Sequence, residues 1–97
     1  MRVVYSARAR EDLRDIRRRS QEHWGNVQSV RYQSRLKDRI RQLRLFPNLG
    51  PAWDGPLDGV RQLVIEHHLA LYLVGPHQIT VLRIVHEKMH PDPGDIQ

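Results

Sequence analysis

The chain has 97 residues, 39% hydrophobic and 28% charged, with 16 Lys+Arg against 11 Asp+Glu and a formal net charge of +5. That balance supports one domain (1–97) with a single modest core and is too apolar for a disordered polymer. There is no cysteine, which excludes disulfides and thiolate metal sites, and no apolar run approaches the ~18 residues that span a bilayer.

No signal-peptide core precedes the first helical pattern, so a cytoplasmic, reducing location is expected. The sequence pI near 10.4 favours an acidic partner: nucleic acid, an acidic protein segment or an anionic surface. Arginine carries nearly all of the positive charge, Lys37 and Lys88 being the only lysines. Its planar fork suits phosphates and carboxylates.

Val3-Val4-Tyr5 is a short β-prone run. Ser6 reads as a helix N-cap, with Glu11 and Asp12 early in the helix where acidic charge suits its dipole. Ala9, Leu13 and Ile16 fall on one helical face, and Ser20 and Trp24 roughly extend it. Gly25 is a left-handed stop, and Asn26 is placed to cap a second helix. Tyr32, Leu36, Ile40 and Leu43 make the second stripe, Phe46 continues it, and Pro47 ends it. Two helices joined at Gly25-Asn26 form an antiparallel hairpin.

Residues 47–59 are rich in proline, glycine and aspartate and read as a loop anchored by Trp53. The period then changes. Residues 60–65, 69–74 and 79–85 read as strands, with a turn over 75–78 pairing the last two as a hairpin. The tail from Met89, with Pro91, Pro93 and Gly94, reads as irregular. The expected fold is α+β, in the order β-α-α-β-β-β, with the helical hairpin on one face of a small, mainly antiparallel sheet.

A sheet with one wet face alternates apolar and polar residues. The last strand instead directs Val81 and Val85 one way and Leu82 and Ile84 the other. The middle strand has Leu69, Leu71 and Leu73 opposite Ala70, Tyr72 and Val74. Two apolar faces need two covers. The helices supply one; the tail, the proline-rich loop or another chain must supply part of the second.

Arg83 stands between Val81 and Val85 and must reach a carboxylate, a phosphate or solvent. Arg61 opens the first strand of the meander, and His86 ends the last, facing away from Arg83. These cations suit a phosphodiester or an acidic side chain, or pair internally with groups such as Glu66 and Asp92. His86-Glu87-x-x-His90 spells a zinc-protease motif, but it follows a strand and runs into Pro91, whereas the motif works only on a helix. No metal or other cofactor is expected. His67-His68 are adjacent strand-edge residues that face opposite ways. The basic residues of the helices spread around them and imply no defined nucleic-acid groove.

The whole chain resembles the ParE branch of the ParE/RelE toxin superfamily. Val4-Tyr5-Ser6-x-x-Ala9-x-x-Asp12-Leu13-x-x-Ile16, His23-Trp24-Gly25 and Tyr32-x-x-x-Leu36 carry the likeness in the first half. Pro47-x-x-Gly50, Gly59-x-Arg61, His68-x-x-x-Tyr72 and Ile79-x-Val81-x-Arg83-Ile84-x-His86-x-x-Met89 carry it in the second. His90 departs from the pattern, which has aspartate after the methionine.

The resemblance implies the toxin half of a type II toxin–antitoxin pair, arresting growth by inhibiting DNA gyrase. A cognate, ParD-like antitoxin would neutralise it through its C-terminal segment in a hetero-oligomer. On that reading the chain is a binding protein, not an enzyme, and Arg61, Tyr72, Arg83, His86 and Met89 are the candidates for contacting target or antitoxin. The alternatives are a RelE-like endoribonuclease cutting ribosome-bound message, with Arg61, Arg83 and His86 as its catalytic set, or a non-toxic retargeted member.

Overall fold

The computed structural model describes residues 1–89. Strand β1 (Arg2–Tyr5) leads into a helical region α1 (Ala7–Arg41), which closes in a 3-10 turn over Gln42–Arg44. Strands β2 (Arg61–Ile65), β3 (His68–Val74) and β4 (Gln78–His86) follow after the long loop. The sheet order is β1-β4-β3-β2. β1 lies parallel to β4, while the β2–β3 and β3–β4 pairs are antiparallel. The expected α+β class is the observed one.

Ser6 caps α1: its hydroxyl accepts the Ala9 N–H at 3.0 Å. The region of 35 residues would run about 52 Å if straight, at 1.5 Å per residue. The molecule is only 38 Å along its longest axis. The break is Gly25, at φ 83° and ψ 173°, a conformation that glycine alone adopts without strain. The limbs on either side fold back on each other. Ser29 Oγ donates to the Arg17 carbonyl at 3.0 Å, and the Gln33 amide reaches the Leu13 carbonyl at 3.3 Å. The helical hairpin is therefore present.

Several details differ from expectation. Asn26 Oδ1 accepts from the Gln21 side-chain amide rather than capping the second limb. Trp24 and Phe46 are 60% and 61% exposed, so each buried stripe stops short of them. The second limb ends at Arg41 and tightens into the 3-10 turn before Pro47 is reached.

Ala9, Leu13, Ile16, Tyr32, Leu36, Ile40 and Leu43 pack on Leu63, Ile65, Ala70, Tyr72, Ile79, Val81 and Ile84 of the sheet. Val81 and Ile84 share this face although three positions separate them. The register explains it: Tyr72 pairs with Val81 but Leu71 pairs with Arg83, so Leu82 is an extra residue, a β-bulge. A bulge reverses the alternation beyond it. Val85 therefore faces away from the helices, with Val60, Leu69 and Leu71. This corrects the expected faces of Ile84 and Val85.

The second face is covered from within the chain by the proline-rich loop, through Trp53 and Leu57. Residue 52 makes a bridge to Arg61, and the Trp53 N–H donates to the Val60 carbonyl at 2.8 Å. Val64 and Leu73, at the margin of this cover, stay exposed. The expected irregular tail, His90 and Asp92 lie outside the described residues. Over 86–89 the backbone is the end of β4 followed by a turn, so the helix that a zinc-protease motif requires does not form there.

Candidate partner-binding groove

β4 has nine residues and β1 only four. The parallel pairing ends at Tyr5 opposite Val81. Beyond that point the start of α1 takes over the edge of β4. The Ser6 hydroxyl donates to the Leu82 carbonyl at 2.8 Å, and an Asp12 carboxylate oxygen accepts the Ile84 N–H at 2.9 Å. The same carboxylate meets Arg83 through Nε at 2.8 Å and Nη2 at 3.1 Å. Arg83 is 6% exposed, so this is a buried, two-pronged ion pair that also satisfies a strand amide. Among the described residues its carboxylate partner is Asp12 rather than Glu66. Asp12 lies on the Ala9–Leu13–Ile16 stripe at i+3, and that spacing is the signal by which its burial can be read.

Outside this pair lies a groove of about 390 Å³ between the first helical limb and the end of β4. Arg8, Glu11, Asp15 and Arg19 line its helical side, and Trp24 and Met89 stand at its mouth. Its charge is mixed; Arg8 and Glu11 are 3.7 Å apart and solvated. Exposed Trp24 and Met89 add apolar contact area.

A histidine cluster closes the sheet side. His68 opens β3 opposite His86, and their rings meet edge to face at 5.7 Å. His68 Nδ1 lies 2.6 Å from the Tyr32 hydroxyl. Which of the two groups carries the bridging proton follows the tautomer of the ring. Burial pushes the Tyr32 phenol up, and a backbone hydrogen bond from His67 only partly offsets this. Burial first, then the neighbouring His86, lowers His68 to about 4. The ring is neutral near pH 7. Adjacent histidines that face opposite ways hid this cluster in the sequence, because its partners come from α1 and β4.

The candidate residues divide in two: Arg83, His86 and Met89 line the groove, while Arg61 and Tyr72 do not. Tyr72 is fully buried, and its hydroxyl accepts the Gly50 N–H at 2.9 Å and donates to the Pro47 carbonyl at 2.8 Å. Arg61 Nε donates to the Gly50 carbonyl at 2.6 Å, and Nη2 to the Asn48 carbonyl at 3.3 Å. Both side chains fasten the loop to the sheet. Gly50 is required there, since a Cβ would lie 2.1 Å from the Gln62 carbonyl oxygen. Arg83 is held by Asp12. Of the five candidates only His86 and Met89 are exposed, and both line the groove.

Residues 3–91 match the family model described as ParE toxin of type II toxin-antitoxin system, parDE. The chain belongs to the ParE toxin family. It is 30% identical over 92 residues to Toxin ParE1 of Mycobacterium tuberculosis, covering 94% of each chain. Toxin ParE1 of Caulobacter vibrioides is 29% identical over 85 residues, 88% of each. A solved structure titled "Chromosomal ParDE TA system from P. aeruginosa" superposes with a TM-score of 0.79 at 23% identity, covering 89% of this chain and 95% of that one. That likeness establishes a shared fold. The ParE assignment makes this chain the toxin component of a type II toxin–antitoxin system.

Proposed function

We propose that this ParE toxin arrests growth by binding DNA gyrase in the cytoplasm, without catalysing a reaction, and that an antitoxin segment seated in the β4 groove neutralises it. The observation that carries the reading is the placement of the candidate catalytic set Arg61, Arg83 and His86. Arg61 lies level with Tyr72, while His86 lies level with His68 and Ile65, two strands away. That separates them by roughly 13 Å along the strands and 10 Å across them. Arg83 is occupied by Asp12. Arg61 and His86 are thus too far apart to act on one phosphodiester, and that candidate set does not assemble.

The ParDE title of the solved relative supports an antitoxin as a partner. The groove offers mixed charge flanked by Trp24 and Met89, which suits an amphipathic peptide segment. The test is induced expression with and without the adjoining antitoxin frame, assaying plasmid supercoiling and message cleavage side by side. The expected result is growth arrest with lost supercoiling and intact message, relieved by the antitoxin. Loss of relief in Trp24→Asp and Met89→Asp places the antitoxin in the groove. Ribosome-dependent message cleavage abolished by His86→Ala contradicts the proposal.

A further inference from the structure

The helices carry a surplus of cations, and the fold gathers part of it. On the side of the first helical limb away from the β4 groove, β1 and both limbs enclose a second hollow of about 880 Å³. Arg2 of β1, Arg10 of the first limb, Lys37 and Arg41 of the second, and Arg44 of the 3-10 turn all line it. His77, from the β3–β4 turn, stands at its rim. Among the described residues, no aspartate or glutamate lines it. Arg41 holds Asp38 at 3.0 Å on the solvent side, and Arg2 is steadied by Gln78.

All five cations are exposed, while Val3, Tyr5 and Leu13 beneath them are half-buried or buried. What the hollow presents to a partner is five cations over a partly apolar floor, with exposed Met1 among its lining residues. Five cations with no carboxylate among them match a run of phosphates, and arginine forks suit phosphate oxygens; an acidic peptide is the competing occupant that the experiment below separates.

We propose that this basic groove binds the phosphate backbone of duplex DNA. The proposal deepens the gyrase reading: the DNA is the segment gyrase holds, and the toxin grips enzyme and DNA together. The contact itself is a property of this chain and is measurable without gyrase.

The experiment is fluorescence anisotropy of the full chain with a labelled 20-bp duplex across a salt series. Arg10→Glu/Lys37→Glu is compared with a charge-matched control outside both grooves, Arg31→Glu/Lys88→Glu. Circular dichroism checks that both are folded. The groove variant is expected to weaken binding more than tenfold and to reduce the log–log salt slope by about 1.8, the value for two lost phosphate contacts. The control is expected to stay within about threefold, because its charges lie off the bound backbone. Equal loss in both variants means net charge alone acts and overturns the proposal. So does a wild-type chain that binds poly-glutamate through these residues but not duplex DNA, or that prefers single-stranded RNA. Groove-dependent DNA binding together with uninhibited gyrase leaves this inference standing and removes the gyrase reading instead.

Discussion

Asp12 and Arg83, 71 positions apart in the chain, form a two-pronged ion pair in the interior, and the same carboxylate holds the Ile84 amide. The pair ties the first helical limb to β4 at the bulge, where β1 no longer covers the strand. Removing Asp12 alone takes the two-pronged carboxylate from a buried guanidinium. Asp12→Ala is expected to cost about 3–5 kcal/mol in urea unfolding. Asp12→Leu with Arg83→Met should recover most of that, falling short by about 1–3 kcal/mol for the Ile84 N–H left without its acceptor. A double variant no more stable than Asp12→Ala contradicts the assignment.

His68 makes stability depend on pH. Its folded value, about 4, lies below the ordinary 6.5, so folding favours the neutral ring. The unfolded chain takes up a proton first as pH falls. Stability is full above about pH 6.5, declines through the window between, and levels near pH 4. His86, His67 and Arg19 disfavour the charged ring and Glu87 favours it. Because the ring is partly solvated, the loss is on the order of 2 kcal/mol rather than the full shift. His68→Gln keeps a hydrogen-bond partner for Tyr32 and should abolish this decline, measured as unfolding free energy at pH 7 against pH 4.5. An unchanged decline in the variant assigns it to other groups.

Tyr72 should matter for the loop more than for any partner. Tyr72→Phe leaves the Gly50 N–H buried without its acceptor and the Pro47 carbonyl without a donor. A loss of about 1–3 kcal/mol is expected, with faster amide exchange at Gly50 and Trp53 and little change in β1. Growth arrest that disappears while stability and exchange stay unchanged assigns the hydroxyl to target contact instead.

Gly25 sets the hairpin. Nothing lies within 4 Å of where its Cβ would stand, so a substitution acts through the backbone alone. Gly25→Ala is expected to cost about 1–3 kcal/mol. D-alanine introduced there by semisynthesis should restore stability, because its mirror-image preferences suit a positive φ. Equal destabilisation by both alanines would rule out backbone strain as the cause.

The order of elements could be read from the chain because it rests on local signals. Ser6 and Gly25 punctuate the helices, the stripes from Ala9 to Ile16 and Tyr32 to Leu43 repeat at helical spacing, and the strands are short β-prone apolar runs separated by turn residues. The bulge at Leu82 could not be read, since it depends on pairing with β3, and so the faces of Ile84 and Val85 came out reversed. Arg83 drew attention as a cation on an apolar strand, but its partner sits in another element and had already been explained by the helix dipole. Arg61 and Tyr72 carry the family resemblance yet bond to loop carbonyls. Their hydrogen-bonding roles are visible only once residues 47–53 lie along β2. The basic groove was equally hidden, because its five cations come from β1, both helical limbs and the 3-10 turn and meet only when the hairpin folds against β1.

The most direct test of the whole account adds the purified toxin to gyrase and relaxed plasmid and follows supercoiling and cleaved DNA together. The account predicts lost supercoiling and accumulating gyrase-linked DNA breaks, with His86→Ala still active. Normal supercoiling at stoichiometric excess of a folded toxin, with no rise in cleaved DNA, contradicts it.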